Sequence, residues 1–158
     1  LRVLTSALFR RLQIIDRKKD LVKLQMGEYV ALSKVENAMK LCPFVENALC
    51  YALSTKSSTV ALIVPNEAAL RAKCKAAASA GADATLAALC ADTAVVAEVL
   101  AALKDVCKSK LAAFEIPAKI AMVSTPWTPE NDMVTAALKL KRVQIVGANK
   151  ATLDAIYA

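Results

Sequence analysis

Residues 14–36 read IIDRKKDLVKLQMGEYVALSKVE. Two short apolar stretches, 12–15 and 21–25, flank the charged run Asp16, Arg17, Lys18, Lys19 and Asp20 and read as brief strands. Gly27, one of only three glycines in 158 residues, marks a turn. From Ser33 the period changes: Val35, Ala38, Met39 and Cys42 recur at helical spacing and form one apolar face. Ser33 and Glu36 fit the S-x-x-E capping box, whose side-chain oxygens satisfy free N–H groups at a helix start, and Pro43 ends the helix. Strands, a turn and an amphipathic helix within so short a stretch point to an α+β domain.

Working outward, "NALCYAL" and "TVALIV" are two further apolar runs joined by the polar "STKSS", which reads as a hairpin loop. The second run is rich in β-branched residues, closes at Pro65 and predicts a good strand. "NEAALRAKCKAAASA" predicts a helix with an Asn66 cap, closed by Gly81. "TAVVAEVLAALKDVCKSKL" sets Val96, Val99, Leu100, Leu103 and Cys107 on one helical face. "KIAMVS" is a last strand, "TPWTPEND" a loop, and "TAALKLKR" a helix or turn edge. Leu153, Ile156 and Tyr157 fall at helical spacing in the tail. The expected fold is a small β-sheet with helices packed on it, without internal repeat or second domain.

Composition narrows the chemistry. No apolar run approaches the roughly 20 residues that span a bilayer. Histidine is absent, which removes a Ser-His-Asp triad, a Cys-His pair and any His-bearing zinc site. Five cysteines without a CxxC suggest free buried thiols in a reducing compartment rather than a disulfide framework. There is no GxxxxGK[ST] or GxGxxG phosphate cradle. Yet 21 basic residues against 14 acidic ones leave a net charge of +7, which favours an anionic partner. The cations cluster at Arg10, Arg11, Arg17, Lys18, Lys19 and Lys23, and again at Lys139, Lys141 and Arg142. Read from charge alone, both clusters are solvated surface turns.

Order and spacing add to this. "IIDRKKDLVKLQMGEYVALSKVE" resembles the segment that opens the C-terminal domain of long-chain fatty acyl-CoA synthetases, in the adenylate-forming superfamily. "WTPENDMVTAALKLKR" resembles the lysine-bearing loop near the end of that domain. "DTAVVAEVLAALKDVCKSKLAAFEIPAKI" resembles the helix and strand before the loop. The resemblance covers residue 12 to the C-terminus. It implies the C-terminal lid domain of an AMP-forming long-chain fatty acid–CoA ligase, cut from a longer protein. Residues 1–11 would then be a remnant of the interdomain region or an added segment. The family's Thr-Gly-Asp motif, its phosphate loop and its Tyr-Gly-x-Thr-Glu segment are not found here, so the isolated domain is expected to be inactive.

The resemblance carries roles onto particular residues. Arg17 matches the arginine near the ATP ribose and phosphates, where a guanidinium fork can hold two oxygens. Lys19 matches the hinge about which the lid turns, between two strands. Gly27 matches the loop that meets the pantetheine arm of coenzyme A, where a missing side chain lets backbone approach a ligand. Lys139 matches the adenylation lysine, whose ammonium offsets charge as a carboxylate attacks the α-phosphate. Lys141 and Arg142 compete for that role. Lys139 is preferred because it follows "TAAL" where the superfamily has a Gly-Lys pair, although leucine replaces that glycine. Glu36 is read as structural.

ATP and coenzyme A are the implied cofactors. Mg2+ is expected in the full-length enzyme but not bound by this domain. The implied partners are the N-terminal domain of the same enzyme and the long-chain fatty acid held there. The location would be intracellular, either cytosolic or peripheral on an organelle membrane. The alternative is a basic module without catalysis. It would bind nucleic acid, for which aromatic residues at 4% offer few stacking platforms, or an anionic membrane through "LFRRL" and the basic clusters.

Overall fold

The computed structural model describes residues 16–81 and 83–157. The expected strand at 12–15, the "LFRRL" segment and the boundary at residue 11 lie outside them. Lys18–Asp20 form one turn of 3-10 helix that leads into strand β1 (Leu21–Lys23). Strand β1 pairs antiparallel with β2 (Tyr29–Ala31) across the Gly27 turn, with Leu21 opposite Ala31 and Lys23 opposite Tyr29. Gly27 has φ +100°, in the region that favours glycine, and its N–H donates to the Leu24 carbonyl at 3.0 Å.

Helix α1 (Leu32–Met39) follows β2 without a loop. The expected Ser33–Glu36 capping box does not form. The cap position is Ala31, so Ser33 already lies in the first turn, and it is capped from outside. The Asp16 carboxylate accepts from both the Ser33 N–H and the Ser33 hydroxyl at 3.2 Å. A carboxylate at this end also suits the helix dipole. Glu36, freed from capping, is buried. The helix ends at Met39, and turns through Lys40, Leu41 and Cys42 carry the chain to Pro43.

The main sheet has three strands in the order β3 (Val45–Tyr51), β4 (Val60–Pro65) and β5 (Lys119–Met122). Strands β3 and β4 form the expected hairpin, and β5 joins β4 in parallel. Every residue of β4 is buried, because helices cover both faces of the sheet. Alternation sorts the side chains. Ala48, Cys50, Ala61, Ile63, Ile120 and Met122 face one layer, and Leu49, Val60, Leu62 and Val64 the other.

The first layer holds α1, α2 (Glu67–Lys73), α3 (Lys75–Ser79), α4 (Leu86–Ala91) and α5 (Thr93–Lys108). Asn66 caps α2 as expected, accepting from the Ala69 N–H at 2.9 Å. The single helix expected up to Gly81 is broken at Cys74, which is extended with ψ 117°. The cause is tertiary. The Glu98 carboxylate on α5 accepts from the Lys75 and Ala76 N–H groups, both at 2.9 Å, and so starts a new helix. On α5, Val95, Val99, Leu103 and Cys107 are buried, while Val96 and Leu100 pack at the edge. The five cysteines are all free and buried. Burial pushes the Cys90 and Cys107 thiols up to about 11, so both are held as inert thiols.

The second layer is made by α6 (Arg142–Ala148), α7 (Lys150–Tyr157) and the buried Trp127 and Val134. Leu153 and Ile156 anchor α7, and the Tyr157 hydroxyl lies 3.0 Å from the carbonyls of Tyr51 and Ser58. Among the described residues no helix is long and apolar enough to cross a membrane.

Candidate functional site

Three segments meet at an open cleft of about 840 Å³: the turn around Lys19, the polar side of α1, and residues 138–144. Arg17, Lys19, Lys40, Lys139, Lys141 and Arg142 line it, against only two carboxylates, Asp20 and Glu36. Six cations around one concavity fit a polyphosphate. Arg17, Lys19 and Lys139, far apart in sequence, are thus brought to one cleft. Gly27 does not line it. It sits on the β1–β2 turn, where a Cβ would meet nothing within 4 Å. The demand for glycine there comes from φ, since no described residue crowds it.

Residues 134–141 are neither helix nor open loop. Val134 bridges Leu140, the Leu138 N–H donates to the Thr135 carbonyl, and the Thr135 N–H donates to the Lys139 carbonyl, both at 2.8 Å. Leu138 closes this hairpin turn at φ +56°. That left-handed position is ordinarily glycine in such turns. The leucine that departs from the Gly-Lys pattern therefore keeps a glycine's backbone.

The three competing cations separate here. Lys141 is ion-paired with Asp132. Arg142 forks onto Glu36, with Nη1 donating to Oε1 at 2.7 Å and Nη2 to Oε2 at 3.1 Å. Nη1 also donates to the Cys50 carbonyl at 3.0 Å, while the Cys50 N–H donates to Glu36 Oε1 at 2.9 Å. Burial pushes the Glu36 carboxyl above its usual range, against the opposing pull of Arg142 and the Cys50 N–H. Lys139 is exposed, and its ammonium has no partner among the described residues. The same is true of the Arg17, Lys19 and Lys40 side chains. Of the three, Lys139 is the one left available to a ligand. Sequence spacing could not have found the Glu36–Arg142 pair, because 106 positions separate its members.

Comparison with known proteins identifies the family and the fold. The chain is 48% identical over 149 residues to long chain acyl-CoA synthetase 8 of Arabidopsis thaliana, covering 93% of this chain and 20% of that protein. It is 40% identical over 148 residues to long-chain-fatty-acid–CoA ligase 1 of Schizosaccharomyces pombe, covering 93% and 22%. The chain corresponds to the C-terminal domain of the long-chain acyl-CoA synthetases. It spans about a fifth of the length of these relatives. Its fold superposes on the A-PCP didomain of carboxylic acid reductase from Segniliparus rugosus, solved in complex with AMP, with a TM-score of 0.76. That match has 27% identity and covers 96% of this chain and 19% of that one. No protein-family model matches the chain. The small mixed α+β architecture is thus that of the C-terminal domain of adenylate-forming enzymes.

Proposed function

We propose that this domain is the mobile lid of an AMP-forming long-chain fatty acid–CoA ligase, closing over an N-terminal domain that holds the fatty acid. One observation carries the reading. The cleft gathers Arg17, Lys19 and Lys139, and leaves the Lys139 ammonium without a partner among the described residues while Lys141 and Arg142 are engaged. Arg17 holds nucleotide oxygens. Lys139 draws the fatty carboxylate and the α-phosphate of ATP together and offsets the charge that gathers between them. The Lys19 turn, which immediately precedes β1, is where the lid pivots. After the turn, the Gly27 hairpin presents bare backbone to the pantetheine arm of coenzyme A. Among the described residues no group of three or more His, Cys, Asp or Glu side chains could hold a metal ion.

The decisive experiment separates the two half-reactions in the full-length ligase. Lys139→Ala should lower fatty-acid-dependent ATP–pyrophosphate exchange by roughly 10²–10³-fold, as for loss of one charge-stabilising donor. Thioester formation from supplied acyl-adenylate should change little. Equal loss in both half-reactions would remove Lys139 from the adenylation step.

A further inference from the structure

Lys139 owes its position to its neighbours. Hydrogen bonds at Thr135 and the Lys141–Asp132 pair hold the turn in shape, but both are local. Among the described residues, one side chain of the 135–142 segment makes polar contacts beyond residues 132–142, and it is Arg142. Its guanidinium reaches Glu36 on α1 and the Cys50 carbonyl on β3, and its Nε stands 3.5 Å from Asp20 Oδ1 in the turn that carries Lys19. The Arg142 Nε itself is buried without a hydrogen bond, so this third contact is charge attraction alone.

We propose that Arg142 is a positioning residue that clasps the Lys139 turn to α1, β3 and the Lys19 turn, and so sets where the Lys139 ammonium stands relative to Arg17. The inference rests on the adenylation role of Lys139. The fork is what suits Arg142 to the task. Two parallel N–H bonds to one carboxylate fix orientation as well as distance, which a lysine's single ammonium does not. Glu36 in turn is held by the Cys50 N–H, so the clasp is anchored in the central sheet. Asp20 extends it to the segment about which the lid pivots. With its guanidinium engaged by Glu36, the Cys50 carbonyl and Asp20, Arg142 acts through Lys139.

A mutant cycle in the full-length ligase tests this. Arg142→Gln and Glu36→Gln are each made with Lys139 intact and in the Lys139→Ala background. Each single change should lower kcat for ATP–pyrophosphate exchange by ~10- to 100-fold, the scale of a misplaced catalytic group. KM for ATP should move less, and thioester formation from supplied acyl-adenylate should be spared. In the Lys139→Ala background neither change should cost anything further, because a residue that acts through Lys139 has nothing left to position. Glu36→Gln keeps the side chain's volume and one acceptor oxygen, so it carries the cycle if Arg142→Gln does not fold. An undiminished effect on top of Lys139→Ala would overturn the proposal. So would parallel loss of both half-reactions tracking a fall in melting temperature. If Lys139→Ala alone left exchange unchanged, the role of the lysine would fail, and this inference with it.

Discussion

At the scale of single residues, two left-handed positions make opposite demands. Gly27 has φ +100° with open space around it, whereas Leu138 holds φ +56° while 71% exposed. An L side chain in this region costs roughly 1–2 kcal/mol. Gly27→Ala should therefore destabilise the domain by about 1–2 kcal/mol, although the new methyl group clashes with nothing. Leu138→Gly should relieve strain that outweighs, or nearly cancels, the roughly 0.5–1 kcal/mol of added chain entropy that glycine brings. Thermal unfolding of both variants checks the signs. A Leu138→Gly loss as large as that of Gly27→Ala would mean that the leucine is held by contacts rather than tolerated. Arg17, Lys19, Gly27 and Lys139 were singled out by the family resemblance, and the fold brings all of them except Gly27 to one cleft. Which of Lys139, Lys141 and Arg142 is left for a ligand was not legible in the sequence. That depends on Asp132 and Glu36 claiming the other two.

At the scale of elements, the helices were found where their information is local. The Asn66 cap and the apolar stripe of α5 each lie within a few residues of what they organise. The break at Cys74 was invisible for the opposite reason: the alanine-rich run favours continuous helix, and Glu98 overrides it from 22 and 23 positions away. The Ala76 and Lys75 N–H groups hold the Glu98 carboxyl below its usual range. A group with a lowered folded-state pKa stabilises above its unfolded value, and that contribution is lost as pH falls through the folded one. Glu98→Gln should thus lower the melting temperature at pH 7, with the gap to the parent protein closing as pH drops below the ordinary carboxylate range. A gap that is constant with pH would show that the carboxylate's charge is not what starts α3. Capping of α1 follows the same logic, since Asp16 takes over the role that a local reading gives to Ser33.

At the scale of the whole molecule, β4 joins two helical layers into one body. Ile63 packs into the layer of α1–α5 and its neighbour Leu62 into that of α6 and α7, both fully buried. Either residue changed to Ala should cost ~2–5 kcal/mol, and each should lower the same single unfolding transition. Two separated transitions in Leu62→Ala, with α6 and α7 melting first, would show that the second layer is a distinct unit. The sheet's layered placement is also what builds the cleft, by setting the start of α6 beside α1 and the Lys19 turn. The sequence by itself determined the α+β class, the β3–β4 hairpin, the long helix and the kinship with acyl-CoA synthetase C-terminal domains. Period, caps and motif spacing are written into neighbouring residues. Only the tertiary structure decided that Glu36 pairs with Arg142, that Asp16 caps α1, and that Lys139 lines the cleft with no partner among the described residues. Desolvation and charge pairing are set by side chains brought together from distant parts of the chain, and no local pattern encodes them.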